Sequence, residues 1–473
     1  MKLTLFQRAL STLLGPGGFL WRPEDLMLYE YDALSSQRVP DAVAFPTCTE
    51  QVVQIVKLAA RENIPVIARG AGTGLSGGAV VTAGGVVVSL ARMKRILDID
   101  IENQRARVQP GVVNLDLSLA ASDRGYFFAP DPSSQKACTI GGNVAENSGG
   151  PHTLAYGVTT NHVLGLKVVL PGGDVIDTGA DFWGRPGFDL TGLMVGSEGT
   201  LGIVTEITVR LMRKPEAVKT LMAIYDRVPG ATRTVAAVTA RGITPAALEM
   251  MDGFTLRAIE DATHAGYPMD SAAVLLIEVE GLREEVEEHA EQIESVAREC
   301  GAREVRHAKT TEARDLLWRG RKNAFGALGR ISPNFYVQDG VIPRTRLPEM
   351  LEHIEEIGRR YNLRIGNIFH AGDGNLHPLL MFDARDKDQS GKVVRAAQEI
   401  ITKCVEMGGS ITGEHGVGME KNELMPLIFS AADLEMMRRI KNVFNPGGSF
   451  NPGKVLPSGK MCGELRVQVG AGD

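Results

Sequence analysis

Glycine most narrows the folds open to this chain. It supplies 54 of 473 residues, about 11% against a usual ~7%. The glycines gather at 70–85, 141–150, 192–202 and 408–418. No Gly-X-Y period runs through them, so a collagen helix is excluded. Clustered glycines mean backbone brought close to something. The remaining composition sets outer bounds. At ~150 residues per domain the length fits about three compact units, or two larger ones. An apolar share of 44% excludes an extended disordered chain. Lys+Arg minus Asp+Glu is 51 − 57 = −6, which argues against nucleic acid as the main partner.

Five cysteines (Cys48, Cys138, Cys300, Cys404, Cys462) stand far apart, with no C-x-x-C. A zinc ribbon or a ferredoxin-type cluster on this chain is therefore not expected, and reduced thiols in a cytoplasmic protein are. The opening segment shows neither a long apolar core nor a cleavage site, and no run of ~18 apolar residues follows. No signal peptide and no spanning segment are expected, which leaves peripheral attachment through a partner.

Residues 1–40 read as helical, then irregular. From Ala42 an α/β pattern begins. AVAF (42–45), VIA (66–68) and GVVVSL (85–90) read as strands. Thr47 or Thr49 is the expected cap of a helix whose Val52, Ile55, Val56 and Ala59 share one face and which ends near Asn63. Residues 98–110 predict a hairpin, 112–125 a short helix, and 164–179 two strands around Pro-Gly-Gly. After Lys214-Pro215 strands alternate with charged helices, as in a second α+β domain. The acidic run at 283–294 reads as a solvated helix face. The expected division is a helical segment 1–40, a first domain 41–214, a second 215–440, and a tail 441–473 that packs back on the first.

RGAGTGLSGG (69–78) follows a strand. Glycines let successive N–H groups turn inward and form a nest for an anion, above all a pyrophosphate. No G-K-[ST] closes the loop, and Leu75 stands where G-x-G-x-x-G needs its third glycine, so neither a P-loop nor a Rossmann fingerprint is present. A tight surface loop is the competing reading. Two further clusters, TIGGNVAENSGG (139–150) and LMVGSEGTLGIVTEI (193–207), read as loops at strand ends. Three such loops suggest one long ligand lying along the backbone.

FHAGDGNLHP places His370 and His377 seven residues apart, where a strand–turn–strand brings the rings together. GSITGEHGVG follows with Glu414 beside His415. Two histidines and a carboxylate are a common set for a catalytic divalent metal with open positions, and His415 would be a nearby base. Unrelated loop histidines are the alternative. In LLWRGRKNAFGALGR, Arg319 and Asn323 stand at i, i+4, either as a clamp on a substrate carboxylate or as a solvated basic face.

RGAGTGLSGG, PSSQKACTIGGNVAENSGG, YGVTTNHVLGLKVVLPGG, GSEGTLGI, FHAGDGNLHP, GEHGVG and NPGK occur in that order from 69 to 454. In this the chain resembles the vanillyl-alcohol-oxidase/PCMH-type FAD flavoproteins with an FAD-linked oxidase C-terminal domain. GRKNAFGALGRISPNFYVQDGVIPR (320–344) points to the glycolate-oxidase group within them. The resemblance implies an α+β fold: a PCMH-type FAD-binding domain of two α+β subdomains, and an α+β substrate (cap) domain with an antiparallel sheet.

It also implies that FAD is held by Arg69, Gly70, Gly72, Thr73, Gly74, Leu75 and Ser76 around the pyrophosphate. Pro132, Ser133 and Ser134 would lie near the flavin. Thr139, Gly142, Asn143, Ser148, Gly149, Gly157, Glu198, Gly202, Ile203 and Asn451 would line the cofactor. Relatives with covalent flavin carry a His in the first glycine loop; Thr73 and Gly74 stand here, so the FAD is expected to be non-covalent. His370, His377 and Glu414 resemble the ligands of a divalent metal, Zn or Mn. His415 resembles the base, with Arg319 on the substrate carboxylate. Hydroxyglutarate-type members tend to have Lys where Val337 stands, so a small monocarboxylate is favoured.

The implied activity is oxidation of a small 2-hydroxy acid, glycolate or D-lactate, to the 2-oxo acid, with electrons leaving the flavin for a partner subunit or a quinone-type acceptor. The implied partners are a second flavin subunit and an iron–sulfur subunit at the inner face of the cytoplasmic membrane. A stand-alone D-lactate or D-2-hydroxyglutarate dehydrogenase is one rival. A non-catalytic flavin-binding accessory subunit is the other, and such a subunit would be expected to lose the histidine set.

Overall fold

The computed structural model describes residues 4–34, 37–179 and 187–458; Cys462 lies outside them. The chain forms two compact units. One comprises residues 1–149, 158–214 and 414–473, the other 150–157 and 215–413.

Among the described residues, the first unit holds two larger sheets and a two-stranded one that pairs Met212–Arg213 with Tyr126–Phe127. Val86–Ser89, buried at every position, pairs in parallel with Ala42–Ala44 on one side and Val66–Arg69 on the other. A strand apolar on both faces suits the middle of a parallel sheet. Helix Thr49–Arg61 buries Val52, Ile55, Val56 and Ala59, the stripe its periodicity predicts. Neither expected threonine caps it. Cys48 holds the cap position without a side-chain bond, and Thr47 gives its N–H and hydroxyl to Gln51. The second sheet is antiparallel, in the order Ile96–Asp100, Arg105–Val108, Ile203–Arg210, Val163–Val169, Val175–Asp177. The middle glycine cluster is not a strand-end loop. It forms helix Ile140–Glu146, with the Thr139 hydroxyl accepting from Gly142 N at 3.2 Å. A capping Thr three residues ahead of a free N–H outweighs the low helix propensity of two glycines.

The second unit is built on an antiparallel sheet running Glu304–His307, Ala217–Tyr225, Ala273–Gly281, Ala247–Asp252, Ile365–His370, Asn375–Leu376, Gly340–Val341. Helix Arg283–Glu299 buries Val286, Ala290, Ile293, Val296 and Ala297 and leaves its acidic residues largely in solvent.

Two expected boundaries move. Residues 150–157, inside the expected first domain, belong to the second unit. The short helix Thr153–Tyr156 packs on strand Ala247–Asp252. His152 Nε2 and Tyr156 Oη hydrogen-bond to Glu278 and Glu280, which alternate onto one face of the neighbouring strand. The return to the first unit begins at Glu414 rather than 441, because residues 417–420 are bonded to Glu198 and Ser76 of that unit.

The turn between the two histidine-bearing strands is tight. Gly374 has φ +77°, and a Cβ there would stand 2.1 Å from the Ile342 carbonyl oxygen. Gly374→Ala must therefore strain the backbone and displace the neighbouring strand, at a cost of about 2–4 kcal/mol. A drop of at least roughly 5 °C in the melting transition is expected; an unchanged transition would contradict the register described here.

Candidate active site

The histidine pair is fixed by the sheet. Glu249 and His370 are register partners on adjacent antiparallel strands, so their side chains emerge side by side on one face. His370 Nδ1 donates to Glu249 Oε1 at 2.7 Å. The other oxygen of Glu249 takes Arg321, whose Nε donates at 2.8 Å. Burial raises the Glu249 carboxyl, but Arg321 and His370 outweigh it and hold it below its ordinary value. His377 lies across the hairpin, its ring perpendicular to that of His370 with centroids 5.1 Å apart. Its Nδ1 donates to the Gln338 carbonyl at 3.2 Å. A carbonyl or an ionised carboxylate can only accept, so each ring carries its proton on Nδ1. In a neutral ring this places the lone pair on Nε2. This is the tautomer in which imidazole ligates a metal while its other nitrogen is steered by a carboxylate or carbonyl.

Asp339, fully buried, accepts from Thr412 Oγ1 and from Gly413 N. Val341 and Ser410 bridge in antiparallel fashion. The segment leading to Glu414 is thus pinned beside the His377 strand, and Glu414 follows Gly413 directly. Asn375 Oδ1 is buried here without a hydrogen-bond donor from the protein. An orphaned oxygen next to paired imidazoles fits a site that receives a cation or a polar ligand.

Arg319 does not face the histidines. Two residues along a helix turn the side chain by about 200°, so with Arg321 buried on Glu249, Arg319 falls on the exposed face. There it lines an open groove with Thr263, Asn323 and Arg330. Arg319 is exposed, and Arg321 is the arginine buried against Glu249.

In the first unit, the three glycine segments line one cavity: Arg69 and Gly70 from the first, Thr139, Gly141 and Gly142 from the second, Ser197, Gly199 and Gly202 from the third. Arg69 Nη1 is buried without a hydrogen-bond acceptor, and the guanidinium sits 5.5 Å from the centroid of the Tyr29 ring. A buried guanidinium lacking an acceptor beside a glycine loop fits a phosphate-bearing ligand. Gly72, with φ +73°, leaves no room for a Cβ, which would lie 2.2 Å from Arg69 Nη2.

The other residues expected at the cofactor are placed as follows within the protein. Asn143 Oδ1 accepts from Asn114 Nδ2 at 2.9 Å. Ile203 lies in the apolar core with Val169. Ser148 gives its carbonyl to Thr159, and Pro132 and Ser134 give theirs to a turn running to Cys138. Ser133 falls within that turn, and Thr73, Gly74 and Leu75 continue the first glycine loop towards Ser76. Gly149 ends the first unit's segment, and Gly157 belongs to the second unit. Asn451 Nδ2 donates to Gly78 O and Glu198 O, and Lys454 Nζ to Gly77 O, Gly78 O and Val80 O. The NPGK segment thus buttresses the first glycine loop through its carbonyls. Burial pulls Lys454 down to about 8 and pushes Glu198 up to about 7. Burial first, then Glu198 and Asp32, push Glu146 well above the usual carboxyl range.

Sequence reasoning missed Glu249 as a site residue. Its signal was a lone carboxylate inside the apolar strand ALEMMD. Arg321→Ala would leave that carboxylate buried without its cation and is expected to cost about 3–5 kcal/mol. Arg319→Ala is expected to stay within about 0.5 kcal/mol. Chemical denaturation of the two variants side by side checks this, and equal losses would contradict the assignment of faces.

Comparisons with known proteins agree with this layout. Residues 40–179 match the family described as FAD binding domain, and residues 214–455 the family described as FAD linked oxidases, C-terminal domain. The chain is 46% identical, over 93% of its length and 89% of the relative's, to the glycolate oxidase subunit GlcD of Escherichia coli K12. Identity to the protein of that name in Bacillus subtilis is 43%, over 93% and 94%. To the D-lactate dehydrogenase of Anaerostipes hadrus it is 34%, over 89% and 91%. Among solved structures, p-cresol methylhydroxylase with bound substrate superposes with a TM-score of 0.82 at 18% identity, covering 95% of each chain. Both family matches in sequence order, together with full-length relatives at this identity, show that the chain belongs to the FAD-linked oxidases with a PCMH-type FAD-binding domain.

Proposed function

We propose that this chain oxidises a small 2-hydroxy acid, glycolate or D-lactate, to the corresponding 2-oxo acid. The observation that carries the reading is the perpendicular imidazole pair, each ring steered through Nδ1, in a chain whose other unit matches the FAD binding domain family and has a cavity lined by three glycine segments. Arg69 and the amides of the glycine loop would hold a non-covalent FAD, consistent with Thr73 and Gly74 in place of a covalently attaching histidine. His370, His377 and Glu414 would hold a divalent metal, Zn or Mn. When bound, FAD accepts the α-hydrogen with its electron pair, and the metal polarises the substrate hydroxyl.

The protein's own groups do the rest. Glu249 and the Gln338 carbonyl hold the two imidazoles in the ligating tautomer. Arg321 keeps Glu249 ionised, so His370 stays a strong donor. His415, adjacent to Glu414, takes the hydroxyl proton. Imidazole suits this step because its pKa lies near working pH. Val337 puts an aliphatic side chain where a second substrate carboxylate would need a cation, which favours a monocarboxylate.

Among the described residues no helix is long and apolar enough to cross a membrane. Among the described residues, no disulfide joins Cys48, Cys138, Cys300 or Cys404. On this reading the electrons pass from the flavin to an external acceptor. Relatives named as subunits support membership of a complex; the partners proposed are a second flavin subunit and an iron–sulfur subunit at the inner face of the cytoplasmic membrane.

Anaerobic titration with glycolate, D-lactate, L-lactate and D-2-hydroxyglutarate, followed by flavin absorbance, tests the proposal. Glycolate or D-lactate should bleach the flavin, and His377→Ala should slow bleaching by at least roughly 100-fold. Bleaching of His377→Ala at the wild-type rate would sink the metal reading. A yellow protein that no hydroxy acid bleaches would favour the accessory-subunit role. Strong preference for D-lactate with a soluble acceptor would favour a stand-alone dehydrogenase.

A further inference from the structure

Glu198 was expected to line the cofactor, yet both its carboxylate oxygens are bound to the protein. Oε1 accepts from Val417 N and Oε2 from Gly418 N, each at 2.7 Å. Two successive amides gripped by one carboxylate form a charge-assisted clamp on the chain immediately after His415. The site is built around this grip. Glu198 is buried and adopts φ +52°, between Gly196 at +77° and Gly199 at +67°. A left-handed glutamate is uncommon and persists only where its surroundings impose it. Its backbone carbonyl is held in turn by Asn451 Nδ2 at 2.6 Å.

The gripped turn has no slack. Gly416 has φ +86°, and a Cβ there would lie 2.4 Å from Glu146 Oε2 and 2.9 Å from Glu198 Oε1. At Gly418 a Cβ would come 2.0 Å from the Ser76 carbonyl oxygen. That same carbonyl accepts from Met419 N at 3.0 Å and Glu420 N at 3.3 Å. The turn is thus fixed to the third glycine segment through Glu198 and to the first through Ser76. Both segments belong to the cofactor-binding unit.

We propose that Glu198 is a positioning residue for His415: by clamping Val417 and Gly418 N–H it fixes the backbone from which the base acts. This rests on the reading of His415 as the base. Glutamate is required because two N–H donors need two acceptor oxygens. Glutamine offers one, and its NH₂ would face an N–H.

Three variants of the full flavin-loaded chain test this: Glu198→Gln, Gly416→Ala and His415→Asn. Gly416→Ala displaces the turn while leaving the Glu198 carboxylate intact, and so covers the case in which Glu198→Gln does not fold. Three quantities are read: the bleaching rate per bound flavin, the half-saturating hydroxy-acid concentration, and the FAD affinity by fluorescence titration. A misplaced base costs roughly 10²-fold in rate. The expected result is that loss in Glu198→Gln and Gly416→Ala, with half-saturation and FAD affinity each within about twofold of wild type. Weakened FAD affinity with an unchanged rate per flavin would make Glu198 a cofactor residue and overturn the proposal. Wild-type rates in both variants beside a slow His415→Asn would overturn the clamp and leave the base reading standing. A wild-type rate in His415→Asn would overturn both.

Discussion

One buried carboxylate organises the second unit. Glu249 stands opposite His370 on the neighbouring strand and joins that imidazole to Arg321. Removing a charge from water is costly unless partners surround it. Glu249 has two, and each is fixed in turn. His370 ends a sheet strand, and Arg321 lies in the last turn of helix Thr311–Lys322. The ring orientation thus follows from strand register and helix placement, with no loop residue in between. Gln338 does the same for His377 through a backbone carbonyl. A pair of imidazoles held this way is preorganised, and preorganisation separates a metal site from two nearby histidines.

The first unit solves a different problem. It must keep a polar cavity open along three backbone segments without filling it with side chains. Glycine does this where a Cβ would collide, as at Gly72 against Arg69. The carbonyls turned away by such a loop need donors, and Lys454 and Asn451 supply them from the C-terminal NPGK segment. Buried Glu198 and Lys454, with half-buried Glu146 beside them, form a compact ionisable group behind the loop. The anion-binding front and the charged back are therefore parts of one arrangement.

Much of this was legible in the sequence, for physical reasons. Strands and helices followed from apolar period, as in Thr49–Arg61 and Val86–Ser89. The histidine hairpin followed from a Gly-Asp-Gly turn between apolar runs. What stayed hidden depended on tertiary partners. Nothing local distinguishes Arg319 from Arg321; only the position of Glu249, about seventy residues earlier, decides which faces inward. Glu198 sits in a glycine cluster and reads as a cofactor contact, while its hydrogen-bond partners lie beyond residue 415. The TIGGNVAE helix was missed because glycine composition masked a capping threonine. The 150–157 crossing was missed because a short strap between two motifs of one domain gives no compositional sign of leaving it.

The central proposal is that His370, His377 and Glu414 hold a divalent metal in a flavin enzyme acting on hydroxy acids. X-ray absorption at the metal edge of the purified, active protein addresses it most directly. The account predicts about one divalent ion per chain, with imidazole nitrogen and carboxylate oxygen scatterers at roughly 2.0–2.2 Å. A preparation that oxidises hydroxy acids at full rate with no bound divalent ion would contradict it.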